Sequence, residues 1–125
     1  MNHTYDIDLP IYEVLQQYFE GIFTGNIALL RDTFHPMALL FGDVDGAPYF
    51  NPLEDYLDGV KNRKSPFQAG EKNKMEVMAI DVINIIAVAK VHVPTLGLNY
   101  YDLLSLNLLV GQWKIVNKLL THVKI

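Results

Sequence analysis

The chain has no cysteine among its 125 residues, which excludes thiol nucleophiles, thiolate metal sites and disulfide staples. Histidine is scarce too. None of the four stands close enough to another, or to paired carboxylates in a helical motif, to suggest a zinc or iron centre. A metal is therefore not expected, and no residue pattern asks for a cofactor. Long apolar runs are missing: Asp, Asn, Lys or Gly interrupts every one before the roughly 20 residues that a membrane helix requires. The opening residues, Met1 to Asp8, are polar and acidic and lack the basic and apolar regions of a secretion signal. The expected setting is the cytoplasm, away from membranes. Basic residues interleaved with aromatics are absent as well, so nucleic acid is not an expected partner.

What remains is a chain rich in core-forming residues. Half of it is hydrophobic, which is ample for one domain spanning residues 1–125. The net charge of -4 is unevenly spread, since residues 1–60 carry ten acids against Arg31 while residues 61–125 carry nine bases against four acids. The two halves attract when packed, and the bases from Lys61 to Lys74 could also greet an anionic ligand.

Apolar spacing orders the elements. Pro10 suits a first helical turn, and Ile11, Val14, Leu15, Tyr18, Phe19, Ile22 and Phe23 recur at helical intervals until Gly25. Asn26 is placed to cap a shorter helix that Pro36 stops. Ala38 to Phe41 suits a short strand, with a brief return at Pro48 to Phe50. Asn51 and Pro52 can then cap and open a third helix through Val60. Beyond the loop at Ser65 to Gly70, four long strands are expected at 74–83, 85–94, 98–109 and 112–123. The most telling stretch is Tyr101 to Lys118. Its two β-rich arms fold about Gly111, and the second, Trp113 to Asn117, alternates apolar and polar residues. Helices first and an antiparallel meander afterwards make an α+β domain, with three helices packed on one face of a curved antiparallel sheet. Both faces of the strands carry leucines, so one face needs a partner, and a homodimer through the sheet is expected.

The order helix, helix with Phe34-His35-Pro36, short strand, helix and four long strands ending in Gly111-Gln112-Trp113-Lys114-Ile115-Val116-Asn117-Lys118 resembles the superfamily of nuclear transport factor two, ketosteroid isomerase and SnoaL-type cyclases. With Tyr101-Asp102 in the penultimate strand, it is most similar to the group called putative lumazine-binding proteins. The resemblance implies a cone-shaped, cystatin-like fold with a pocket open at one end. Its members range from isomerases, cyclases and dehydratases to non-enzymatic adaptors, so fold alone does not decide function. Isomerase chemistry would need a carboxylate base and a tyrosine–carboxylic acid pair around an oxyanion. Tyr18 stands near the tyrosine's place. The base position falls on Gly42, one residue before Asp43, and the second acid's position on Leu104 or Ser105, two or three residues after Asp102.

Candidate acid/base residues are thus His35, Tyr18 and Asp102. His35 can equally be a helix C-terminal histidine bonded to a free carbonyl. His92, sharing a strand face with Lys90, is expected to point outward. Asp102 and Lys118, counted from the turn at Gly111, come out as diagonal neighbours on one sheet face, either an ion pair or a ligand handle. The expected ligand set is Tyr18, Phe34, Phe41, Tyr56, Tyr101, Asp102, Trp113 and Lys118, lining a mainly apolar pocket for a small, flat organic molecule. Three functions compete: a small-molecule binding domain, an isomerase, cyclase or dehydratase, and an adaptor whose cone is filled by its own side chains.

Overall fold

The computed structural model describes residues 3–124, with side chains from residue 9 onward; the side chain of His3 lies outside the described part. Helix α1 (His3–Thr24) starts earlier than the spacing predicts and holds Pro10 inside it. Its Ile11, Leu15, Tyr18, Phe19 and Ile22 form one buried stripe at the three- and four-residue spacing of an amphipathic helix. Gly25 turns the chain at a φ of 71°, and the Asn26 side chain accepts from the Leu29 amide at 3.1 Å to start α2 (Ile27–Asp32), as expected of an N-cap.

Strand β1 (Phe34–Val44) is far longer than the Ala38 to Phe41 segment expected, because α2 ends at Asp32 and Phe34-His35-Pro36 already belongs to the strand. Pro36 biases the residue before it toward extended geometry, which corrects the placement of His35 at a helix end. Strand β2 (Ala47–Pro52) and helix α3 (Leu53–Lys61) follow. Asn51 does not cap α3. It lies in β2, and its side-chain amide donates to the Tyr49 hydroxyl at 3.0 Å.

Strands β3 (Glu76–Ile83), β4 (Ile86–Thr95), β5 (Leu98–Leu109) and β6 (Gln112–His122) fall within two residues of their expected bounds. They complete a six-stranded sheet of order β2-β1-β6-β5-β4-β3. Every pairing is antiparallel except β1 with β6, which run parallel. Register irregularities in β1, β3 and at Ser105/Leu106 add the local twist by which bulges curve a sheet. At the Val110–Gly111 turn both residues have positive φ, 48° and 76°, as a two-residue primed hairpin demands.

Alternation then sorts side chains by face. Ala87, Ala89, Val91 and Val93 of β4, Leu104 and Leu106 of β5, and Ile115 and Leu120 of β6 are buried with the helical stripe. His92 points the other way, as expected, and stacks on the Tyr101 ring at 4.5 Å. No helix among the described residues is long and apolar enough to cross a membrane.

Candidate functional site

Asp102 of β5 and Lys118 of β6 both project inward. In register Asp102 stands opposite Leu120 and Lys118 opposite Leu104, so the two are diagonal neighbours, with Lys118 Nζ 3.8 Å from Asp102 Oδ2. Helix α1 brings Tyr18 beneath them, its hydroxyl donating to the same Oδ2 at 2.8 Å. Lys118 Nζ donates to the Tyr56 hydroxyl of α3 at 3.3 Å and lies 4.5 Å and 5.2 Å from the Tyr56 and Tyr18 ring centres, within cation–π range. Phe34 wedges between those rings, at 6.0 Å from Tyr18 and 6.1 Å from Tyr56.

Above this floor opens a cavity of about 190 Å³, lined by Ile22, Tyr49, Asn51, Tyr56, Gly59, Val60, Arg63, Val93, Thr95, Tyr100, Asp102, Lys118 and Leu120. Its walls are largely apolar or phenolic, and Asn51, Arg63, Thr95, Asp102 and Lys118 are its other polar groups. Two buried oxygens here, Asp102 Oδ1 and Thr95 Oγ1, have no hydrogen-bond partner among the described residues. Such orphans are costly and uncommon.

Burial pushes the Asp102 carboxyl up from its ordinary pKa, and the Lys118 charge and the Tyr18 hydroxyl pull it back only in part. Burial also works against the Lys118 ammonium, yet Tyr56 and Asp102 more than offset it and hold its pKa up. Burial, first of all, raises the phenols of Tyr18, Tyr49 and Tyr100, so they remain hydroxyl donors at neutral pH. The site therefore presents a fixed cation, a carboxyl with a high proton affinity and several neutral hydroxyls, a set suited to orienting a polar-edged ligand or to moving a proton.

Of the residues expected to hold a ligand, Tyr56, Asp102 and Lys118 line the cavity, while Tyr18 and Phe34 form the layer beneath. Phe41, Tyr101 and Trp113 do not line it. Phe41 and Tyr101 lie on the opposite sheet face, Phe41 against Phe50 and Tyr101 against His92, because neighbouring residues of a strand point opposite ways. Trp113 is buried in the core by the β5–β6 turn. The acid/base candidates separate as well. Tyr18 and Asp102 meet, whereas His35 lies outside the cavity lining and accepts the Met37 amide on its ring nitrogen at 3.0 Å. Asp43, one place past Gly42, turns outward to the Thr121 hydroxyl and the Gly46 amide. Among the described residues no three His, Asp or Glu side chains gather as a metal site would need.

The lining also includes Arg63, from the basic run Lys61 to Lys74 that the sequence offers to an anionic ligand, and Tyr49, Asn51, Thr95 and Tyr100, which the expected ligand set lacks. Tyr100 was readable, since it shares the inward parity of Asp102. Tyr49, Asn51 and Thr95 come from β2 and the end of β4, whose convergence has no local signal.

A family model described as "Putative lumazine-binding" matches residues 8–121. No curated protein matches the chain. Among solved structures, an NTF2-like protein of unknown function from Shewanella baltica OS155 is similar at 23% identity and a TM-score of 0.81, covering 100% of this chain and 99% of that one. An NTF2-like protein of unknown function from Methylobacillus flagellatus KT is 28% identical with a TM-score of 0.77, covering 99% and 96%. A cystatin-like fold protein from Burkholderia xenovorans LB400 has a TM-score of 0.69 at 12% identity, covering 96% and 94%. The fold is thus NTF2-like and cystatin-like, as the order of elements predicts.

Proposed function

Because the chain belongs to the "Putative lumazine-binding" family, we propose that it is a small-molecule binding domain whose ligand sits in the Asp102–Lys118 cavity. The observation that carries this reading is that two residues of the cavity lining, Asp102 and Thr95, each hold a buried oxygen left without a partner among the described residues. A ligand that satisfies them removes a penalty of roughly 1–3 kcal/mol for each. At about 190 Å³ the cavity is smaller than the roughly 300–1,000 Å³ of drug-sized sites. It suits a flat molecule of one ring, or of two compact rings, rather than a steroid.

Gly59 of α3 lines the cavity, and a Cβ built there meets nothing within 4 Å. Gly59→Trp is expected to plug the opening while leaving the helix intact, since a glycine inside a helix costs up to about 1 kcal/mol. Thermal-shift titration with pterins and one-ring aromatics checks this. A ligand at 100 times its dissociation constant stabilises by about 2.7 kcal/mol, and the variant should lose that shift. An equal shift in both proteins would place binding elsewhere.

A second reading, an isomerase, cyclase or dehydratase, draws support from one feature. Asp102 lines the cavity with a carboxyl whose proton affinity burial has raised, one oxygen free of partners among the described residues and the other bonded to Tyr18. Such a group can act as a general acid or base. Under this reading Asp102→Asn keeps binding and abolishes turnover.

We also propose that the protein is a homodimer through the outer sheet face. Leu103 pairs with Leu119, Leu119 with Phe41 and Phe41 with Phe50 across four strands, and all four are exposed. An apolar row of this length marks an interaction surface. Sedimentation at micromolar concentration is expected to give a dimer that Leu119→Lys converts to monomer; a monomeric parent would rule the interface out.

A further inference from the structure

The cavity carries an unbalanced positive charge. At its floor the Asp102 carboxylate and the Lys118 ammonium offset each other at 3.8 Å. Arg63, at the end of α3, adds a guanidinium to the lining, and among the described residues it makes no ion pair and no side-chain hydrogen bond. Its field reaches inward, opposing the burial that raises the phenols of Tyr18, Tyr49 and Tyr100. Lys61 and Lys64 stand beside it on the surface, and cations gathered at one rim of an apolar-walled cleft steer anions into it. Protonation of Asp102 would only increase the excess.

The other end of the cavity makes the opposite demand. Asp102 Oδ1 is an acceptor with nothing to accept, on a side chain only 1% exposed. Thr95 Oγ1, likewise buried and without a partner among the described residues, belongs to the same lining four residues along β4 from Val91, the residue opposite Asp102. Arg63 and Lys118 disfavour a cation, and a wholly apolar ring would leave Asp102 Oδ1 unsatisfied.

Resting on the binding reading above, we propose that the occupant is a small organic carboxylate bearing an O–H or N–H donor at its far end. The carboxylate pairs with Arg63 at the rim, where a guanidinium offers two parallel donors to it. The hydroxyl or amino group donates to Asp102 Oδ1. The cavity of about 190 Å³ has the volume of about six waters at liquid density, which accommodates a single ring with one group at each end.

Isothermal titration of the full chain with matched one-ring probes tests this. 4-Hydroxybenzoate and 4-aminobenzoate are expected to bind about tenfold tighter than benzoate, which lacks the donor, and about tenfold tighter than 4-hydroxybenzamide, which lacks the charge. Arg63→Gln, a change at an exposed position, should bring the hydroxy acid and its amide to equal affinity without weakening the amide. In the unaltered protein, added salt should weaken the acid and spare the amide. Amides binding as well as acids, or Arg63→Gln leaving their ratio unchanged, would overturn the carboxylate assignment while the binding function stood. Benzoate matching the hydroxy acid would overturn the donor assignment. If neither these probes nor the pterins bind, both readings fall together.

Discussion

Replacing Lys118 with methionine is expected to destabilise the protein by about 3–5 kcal/mol at neutral pH, the usual cost of leaving one member of a buried ion pair alone. Methionine fills most of the lysine's volume, so packing is not the main loss. The loss is electrostatic. Asp102 is buried with no other cation within salt-bridge distance among the described residues, and its carboxyl is already pushed up by burial, held back only by Lys118 and Tyr18. Without Lys118 it climbs further. A carboxyl whose folded-state pKa lies above its unfolded value, about 3.9, adds stability at pH below that unfolded value and costs stability as pH rises through the folded one. The variant's deficit should therefore be small near pH 4 and widen toward pH 7. Surface acids such as Glu54 and the half-buried Asp43, whose pKa values are lowered by Arg31 and Thr121 respectively, run in the opposite sense and are common to both proteins. Urea unfolding at the two pH values measures the difference. The double variant Asp102→Asn, Lys118→Met, which leaves no charge behind, should recover most of the loss at pH 7. A deficit that shrinks as pH rises would mean that Asp102 is not the group left stranded.

The diagonal contact of Asp102 with Lys118 was legible because hairpins are local. The turn at Val110–Gly111 sets Leu109 opposite Gln112, a register that alone would put Asp102 opposite Leu119. The bulge at Ser105/Leu106, which skips Val116, shifts it by one, so that Asp102 meets Leu120 and shares a face with Lys118, as a count centred on Gly111 gives. Parity also decides against Tyr101, which cannot share the face of Asp102, and in favour of Tyr100, which must. The aromatic set was instead gathered by residue type, so Phe41 and Trp113 were grouped with Tyr56 although they lie on different faces or at different ends of the sheet. Tyr49, Asn51 and Arg63 reach the cavity by a non-local route. Strand β1 runs parallel to β6, about eighty residues later, and that crossover brings β2 and α3 over the floor. No periodicity in 34–61 announces a parallel partner. The same crossover explains the misjudged length of β1, since its first residues gain strand pairing only against Ile115.

Gly42 is where that crossover is most sensitive to substitution, and Gly42→Ala is expected to cost about 2–6 kcal/mol, combining backbone strain with overpacking. Gly42 has a φ of 148°, and a Cβ built there would lie 1.8 Å from the Leu120 carbonyl oxygen. The obstacle is backbone of β6, paired with Gly42 itself in the parallel register, so it cannot rotate aside as a side chain would. Relief requires β1 and β6 to part, which displaces Leu120 from the cavity wall and disturbs Lys118 two residues before it. Thermal unfolding should show a large fall in melting temperature together with loss of ligand-induced stabilisation. Gly59→Ala, whose added Cβ meets nothing within 4 Å, should match or exceed the parent and serves as the control. A Gly42→Ala protein melting with its parent would refute the close approach. The same geometry bears on chemistry, because Gly42 is the position at which an isomerase-like site would carry its base. A carboxylate there would occupy the space of the Leu120 carbonyl, and Asp43 beside it is turned outward to Thr121.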